Sequence, residues 1–563
     1  MIGTPVNEGI AIAKPFIFRK EAISITEEKS SSYEQEQEKL YDAIDKAREQ
    51  ITSLKELAAE KMGKENIFDA HLSILEDPML IDMLDKALKD GLPAAAAVDR
   101  AKKELTAIFE KIPDPYIKAR IADIDDITER LIRIILGKPK EDLALIDQPV
   151  VLIARDLTPS ETIGLNENVK GIITETGSAT SHAAILAKAL GLPAVVGEEG
   201  IIDKAKDADL VILDTIDDNI IFNPTQQELE IYTVKQAKYE DERKRLMLYA
   251  GREAITKDGK KIKVYANIGS LEEWQVAQKY GAEGIGLFRT EFLYMQNDHF
   301  PTEDEQFEVY KEITQQGGEE IILRILDIGG DKNLPYYDFP KEMNPFLGNR
   351  AVRFLLKNPD VFKAQLKAAL RAAVYGNLKI MYPMISSIEE LHEANKILQQ
   401  CKDELKQNGI AYKESMEVGI MVEIPSAAIM ADVLARYVDF FSIGTNDLCQ
   451  YTLAVDRTNA LVKELYKPHE PAILRLIRHV TKAGADFEVP VGVCGEMAGE
   501  PIYTKWLIGA GVTELSMSAA SIPRIKEIII NTTYDECKEL VAKTNSLFNA
   551  NDIENELKES AIC

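Results

Sequence analysis

Over roughly the last 300 residues, short apolar runs rich in β-branched residues alternate with longer stretches whose apolar positions recur at helical spacing. Eight runs have strand character: KIKVYANIG, GIGLFRTEF, IILRILDIGGDK, LKIMYPMI, VGIMVEIP, FFSIGTNDL, VPVGVCGEMAG and ELSMSA. Strand and helix alternating eight times predict a closed parallel (β/α)8 barrel. Most of these runs end in polar or reactive residues, and the C-terminal ends of barrel strands all open on one face.

Ahead of the barrel the pattern changes twice. Strand-like runs (GIAIAKPFIF, PVVLIARDL, ADLVILDTI, IIFNP) mark residues 1–22 and 148–223. Residues 28–140 between them are helical in pattern, as in EEKSSSYEQEQEKLYDAIDKAREQITSLKELAAEKMG and DAHLSILEDPMLIDMLDKALKDG. A helical block inside a strand-rich unit predicts an insertion. The run TQQELEIYTVKQAKYEDERKRLMLYAGREA then predicts a long polar helix that links to the barrel.

One segment of the strand-rich unit stands out: GIITETGSATSHAAILAKALGLPAVVG, residues 171–197. GIIT reads as a buried strand, and AAILAKAL as a helix closed by Gly191 and Pro193. That places His182 in the first turn of the helix. Unpaired N–H groups there attract anions, and the helix dipole disfavours an imidazolium. A neutral imidazole beside an anion site is what a phosphate-accepting nucleophile needs. From this segment alone, a capped histidine without chemistry remains the other reading.

Composition narrows the class. The chain of 563 residues is long enough for several domains, and no apolar run approaches membrane-spanning length. Its start lacks the basic flank and cleavage site of a signal peptide, which predicts a cytoplasmic protein. Five scattered cysteines without a C-x-x-C pair argue against a disulfide framework or a zinc site. A net charge of −26 argues against nucleic acid and fits a basic protein partner.

The strand ends carry the candidate chemistry. Arg289, Arg324 and the nearby Arg457 supply guanidinium forks for phosphate and carboxylate oxygens. Glu423 and Asp447 end successive strands and offer two hard oxygen ligands, which suits Mg²⁺. Asn267 ends another run, and Asp327 and Asn446 stand beside Arg324 and Asp447 in theirs. The implied substrate is a small, multiply anionic phosphate ester. Cys494, in a glycine-flanked turn, could give a proton to a carbon-centred enolate; the alternative is a buried structural thiol.

The runs SIGTNDLCQYTLAVDR, GLFRTEFLYM, DIGGDKNLPY, NPFLGNRA, VGVCGEMAGE and SMSAASIPRIK closely resemble Enzyme I of the bacterial sugar phosphotransferase system, the phosphoenolpyruvate–protein phosphotransferases. The likeness extends to AHLSILEDP in the helical block and to the Thr-Ser-His step. It implies an α/β multidomain protein: a swivelling phosphohistidine domain at 1–24 and 141–223, an inserted helical domain at 25–140 that binds the carrier HPr, a linker at 224–254, and a (β/α)8 barrel at 255–563 that binds phosphoenolpyruvate and forms a homodimer. By position it implies phosphorylation of His182, substrate binding by Arg289, Arg324, Arg350, Asn446, Asp447 and Arg457, Mg²⁺ on Glu423 and Asp447, and proton donation by Cys494. Neither nucleic acid nor membrane insertion is implied. The chain departs from the family's usual pattern at Ser178, where glycine or alanine is usual, and at Lys188, where arginine is usual.

Dikinases and synthases that share a swivelling histidine carry a large nucleotide-binding domain ahead of it, and no glycine-rich nucleotide loop precedes the histidine region here. A catalytically silent protein that docks such carriers is the reading from another class. Retention of His182, Cys494 and both metal ligands speaks against it.

Overall fold

The computed structural model describes residues 3–562 except 19–24, 26–31, 63–65, 111–114, 139–142, 144–145, 159–160, 162–164, 178–180, 182, 185–186, 188–189, 296, 331, 333, 335, 458 and 460. The chain forms two compact units, Met1–Arg243 and Lys244–Cys563.

The first unit holds a mixed sheet of β1 (Thr4–Asn7), β2 (Ile10–Phe18), β3 (Val150–Ala154), β4 (Val169–Thr174), β5 (Ala194–Val196), β6 (Val211–Asp214) and β7 (Asn219–Phe222). Their order is β1-β5-β4-β3-β2-β6-β7, with β2 to β5 mutually parallel and the outer pairings antiparallel. Both faces are covered: Val150, Leu152 and Ala154 enter one apolar layer, Val151 and Ile153 the other. A strand buried on both sides must be apolar at every position, as VVLIA is.

Between the neighbouring strands β2 and β3 the described residues make five helices, α1 (Tyr33–Met62), α2 (Asn66–Leu75), α3 (Pro78–Lys89), α4 (Ala94–Glu110) and α5 (Pro115–Ile135). The helical block is therefore an insertion in a parallel crossover. Leu40, Ala43, Ile44, Ala47 and Ile51 recur every three or four residues and turn one face of α1 into a core shared with Leu84, Leu88, Ile127 and Leu131. Asp77 and Pro78 separate α2 from α3. The Asp77 carboxylate accepts the Met79 N–H at 2.7 Å, and proline at the first helical position has no N–H to leave unpaired.

The linking segment is a helix, Gln226–Ala250, with Ala250 as its one buried residue among those described. Lys235 pairs with the buried Asp214 and, at 2.6 Å, with Asp217; Gln236 Nε2 donates to the Ile10 carbonyl at 2.8 Å. At its other end, buried Lys526 donates to the carbonyls of Ala250 (3.3 Å) and Arg252 (3.0 Å) and pairs with Glu283 at 3.0 Å. A cation thus satisfies carbonyls at the negative end of the helix. Among the described residues no helix is long and apolar enough to cross a membrane.

The second unit is a closed barrel of eight parallel strands: β8 (Lys263–Ile268), β9 (Ile285–Arg289), β10 (Ile321–Arg324), β11 (Leu378–Tyr382), β12 (Val418–Val422), β13 (Phe440–Ile443), β14 (Val491–Val493) and β15 (Glu514–Met517), with β15 pairing back to β8. All eight strand-like runs of the sequence are barrel strands. Outward residues such as Leu323, Ile420 and Ile443 pack in the layer beneath the helices, while Leu287, Ile322, Met381, Met421, Phe440 and Cys494 form a separate cluster within the barrel. Below that cluster lies a charged floor, in which Glu320 pairs with Lys263 at 2.7 Å and Lys379 at 3.1 Å. Sequence reading had given these charges no role.

Gly281 shows how closely the barrel is built. Its φ is +86°, and an added Cβ would lie 1.9 Å from the Ala250 carbonyl oxygen. Gly281→Ala is expected to destabilise the barrel by about 2–3 kcal/mol through left-handed strain and overpacking against fixed backbone. Chemical denaturation checks this, and an unchanged midpoint would contradict it.

Candidate active site

Side chains alternate along a strand, so residues two apart face the same way. Arg289 lies two beyond Leu287, Arg324 two beyond Ile322 and Glu423 two beyond Met421, and each therefore stands above the apolar layer at the barrel mouth. Arg289 and Arg324 are register partners on adjacent strands. After β13, Gly444 opens the helix Thr445–Leu453, which carries Asn446 and Asp447 in its first turn. An added Cβ on Gly495 would lie 2.0 Å from Thr445 Oγ1, so glycine there lets the Cys494–Glu496 turn close onto that helix. Asn446 Oδ1 then accepts the Glu496 N–H at 2.9 Å, and Arg457 approaches the Glu496 carboxylate at 3.9 Å. Asn267 Nδ2 donates to the Cys494 carbonyl at 2.9 Å.

Four cations (Arg289, Arg324, Lys332, Arg350) and four carboxylates (Glu291, Asp327, Glu423, Asp447) meet here, and they are unequally engaged. Asp327, fully buried, receives Arg350 Nε at 2.8 Å and Nη2 at 2.9 Å, with Arg324 and Lys332 each at 3.4 Å. Burial alone would push its carboxyl up, but Lys332, Arg350 and Arg324 hold it well below the usual carboxylate range. Glu291 Oε1 accepts Arg324 Nη2 at 2.8 Å and the Asp327 N–H at 3.1 Å. Arg350 also donates from Nη2 to Asp447 Oδ2 at 2.8 Å and from Nη1 to the Tyr451 hydroxyl at 3.1 Å. Four of its five N–H groups are thus committed.

The other arginines have more to offer. Among the described residues the buried Arg324 Nε has no hydrogen-bond partner, an orphan donor in the mouth of the barrel. Among the described residues nothing pairs with the Arg289 guanidinium. The residue is exposed at the barrel mouth, and desolvation and then the Arg324 charge push its pKa down. An anion between these two arginines would relieve the repulsion and fill the orphan donor.

Glu423 is buried and accepts the Met384 N–H on Oε1 at 2.7 Å. Burial, then Asp447 and Asp327, push its carboxyl up to about 8 against the opposing pull of Arg350 and Arg324. Carboxylates crowded in this way fit a hard cation, which would replace their repulsion with attraction. No group of three or more His, Cys, Asp or Glu is arranged for a metal among the described residues. A cation here would take two protein carboxylates and complete its shell from substrate and water, the Mg²⁺ pattern. Cys494 has its thiol pushed up to about 11, chiefly by burial, so it carries its proton at neutral pH.

Residues 243–534 match the model for PEP-utilising enzyme, PEP-binding domain; 2–120 match PEP-utilising enzyme, N-terminal; and 146–217 match PEP-utilising enzyme, mobile domain. The phosphoenolpyruvate-protein phosphotransferase of Geobacillus stearothermophilus is 44% identical over 566 residues, covering 97% of this chain and 98% of its own. That of Staphylococcus epidermidis is 43% identical over 544 residues, covering 96% and 95%. The chain belongs to the phosphoenolpyruvate–protein phosphotransferase family, Enzyme I. A solution structure of an Enzyme I protein aligns with 42% of this chain and 98% of its own at 38% identity, with a TM-score of 0.38.

Against the Enzyme I expectations, the barrel brings together Arg289, Arg324, Arg350, Glu423, Asn446, Asp447, Arg457 and Cys494. His182, with Ser178 and Lys188, lies outside the described residues. Ser181 beside it accepts the Ala184 N–H at 3.4 Å, and Ala183 and Ala187 belong to one apolar layer of the sheet. Sequence reading missed Glu291, Lys332 and Tyr451 and gave Asp327 no role. The available signal was electrostatic: arginines at strand ends inside a barrel need buried counter-charges, and acids close in sequence to them are the candidates.

The raised Glu423 carboxyl sets a pH dependence. The folded state keeps a proton that the unfolded chain releases near the ordinary value of 4.5. The associated stability is complete below that value and is lost as pH rises through about 8. Glu423→Gln, neutral at every pH, is therefore expected to match the parent near pH 4 and to exceed it in stability by a growing margin towards pH 9. Denaturation in metal-free buffer across that range checks the sign.

Proposed function

We propose that this chain transfers the phosphoryl group of phosphoenolpyruvate to its own His182, and from there to a histidine of the carrier HPr, releasing pyruvate. One observation carries the reading: among the described residues an unpaired arginine, an arginine with an orphan donor, two carboxylates suited to a hard cation and a protonated buried thiol converge on one barrel mouth. That set matches a small phosphorylated acid whose product must take a proton on carbon.

In this mechanism Arg289 and Arg324, with Asn446 and Arg457, bind the anionic oxygens of the substrate, and Arg350 adds a point contact through its remaining N–H. Glu423 and Asp447 would hold Mg²⁺, which supplies charge neutralisation for the transferring phosphoryl group. The His182 nitrogen, Nε2 in the family, forms the N–P bond as the bond from phosphorus to the enol oxygen breaks. The departing electron pair gives the enolate of pyruvate. Its methylene carbon then takes the proton of Cys494 Sγ, and the thiolate is reprotonated before the next turnover. In the second half-reaction the phosphoryl group passes from His182 to the carrier. We assign residues 1–24 and 141–223 to the swivelling phosphohistidine domain, 25–140 to HPr docking, 224–254 to the linker and 255–563 to substrate binding and dimerisation, all in the cytoplasm.

Two outcomes follow. After incubation with labelled phosphoenolpyruvate and Mg²⁺, the parent protein is expected to carry label and His182→Ala none, with unchanged folding; label on the variant would sink the assignment. Cys494→Ala is expected to slow phosphoenolpyruvate turnover at least tenfold while sparing transfer from phosphorylated His182 to HPr. Measuring the two half-reactions separately decides this, because equal loss in both, or in neither, rejects the proton-donor role.

A further inference from the structure

The hydroxyl of Tyr451 is used twice. It donates to the Phe346 carbonyl at 2.6 Å and accepts from Arg350 Nη1 at 3.1 Å. Tyr451 stands four residues beyond Asp447 on the helix Thr445–Leu453, so both lie on one face, and Arg350 reaches both. Phe346 belongs to the short 3-10 turn Pro345–Leu347, and its ring centre lies 5.7 Å from the Arg350 guanidinium. The same loop is braced from the other side, where the Glu342 carboxylate accepts the Asn349 N–H at 3.0 Å. Burial pushes the Tyr451 phenol up to about 12, so the proton it donates to Phe346 stays in place at working pH.

We propose that Tyr451 is a positioning residue of the phosphoryl-transfer site. It acts through Arg350, tying the loop that carries Arg350 to the helix that carries Asn446 and Asp447, so that substrate-binding and metal-binding groups keep one spacing. With Asp327 on one side and Tyr451 on the other, Arg350 is a strut more than a phosphate fork. This role rests on the phosphoenolpyruvate reading above.

Tyr451→Phe removes the hydroxyl and keeps the ring. In the full chain, assayed with phosphoenolpyruvate and Mg²⁺, its KM for phosphoenolpyruvate is expected to rise about tenfold, the loss of one hydrogen bond to a charged group. Its kcat should stay within about threefold and its melting temperature should fall by no more than about 2–4 °C, a split that a packing defect would not produce. A second background separates action through Arg350 from a local effect. The lysine of Arg350→Lys has no second terminal nitrogen for Tyr451, so adding Tyr451→Phe to it should cost less than about a further twofold. A Tyr451→Phe protein with parental KM and kcat overturns the proposal, whatever its melting temperature. So does a tenfold loss that persists in full on the Arg350→Lys background. A parent protein that does not turn over phosphoenolpyruvate overturns the substrate reading, and this role with it.

Discussion

The ion pair between Asp327 and Arg350 is the constraint on which the barrel mouth depends. Both groups are buried, and an isolated buried charge is so costly that removing one partner of such a pair typically destabilises by about 3–5 kcal/mol. The pair is tolerable because each member is over-connected. Asp327 meets Arg324 and Lys332 as well, and Arg350 meets Asp447 and Tyr451. The loop after β10, the helix after β13 and the first turn after β9 are thereby held by one network. The negative field of Asp327 also reaches Glu423, where it adds to the repulsion that a cation would remove.

Alternation along the strands turns this network into a site. Each inward register of the barrel has its own chemistry: a charged floor at Lys263 and Lys379, an apolar middle from Leu287 to Phe440, and a reactive rim. The apolar middle separates the two charged layers, so rim charges are compensated locally rather than by the floor. In a low-dielectric, preorganised setting the arginines and carboxylates of the proposed site would act on developing charge without first reorienting solvent.

Much of this was legible in the chain itself. The eight barrel strands were readable because strands buried on both faces are dense in β-branched residues, and the residues at their ends could be placed on one rim by topology alone. Arg289, Arg324, Glu423 and Cys494 followed from that. Glu291 did not, because in GLFRTEFLYM it looks like any first-turn helix acid; only its contact with Arg324 gives it a role. Tyr451 was hidden for a similar reason. A tyrosine after NDLCQ is ordinary helix composition, and its partners come from a loop about a hundred residues away. Lys263, Lys379 and Glu320 had no role in that reading, because only closure of the barrel brings them together. The expected roles of Arg350 and His182 came from resemblance to Enzyme I, since neither spacing nor periodicity singles out an arginine in a loop or separates a nucleophile from a capped histidine.

The insertion of a helical block between β2 and β3 bears on how the first unit folds. Lys14 pairs in register with Val150, so the central strands of the sheet meet only after the whole helical block has been synthesised. The helices make mostly local contacts and can consolidate early, whereas the sheet must close a long loop before its inner pair forms. A nascent chain would therefore carry β2 as an unpaired apolar strand, IAIAKPFIF, while the bundle beside it is already compact. Mutations that slow consolidation of the bundle would prolong exposure of that strand, and their damage would show as aggregation during synthesis more than as instability of the finished protein.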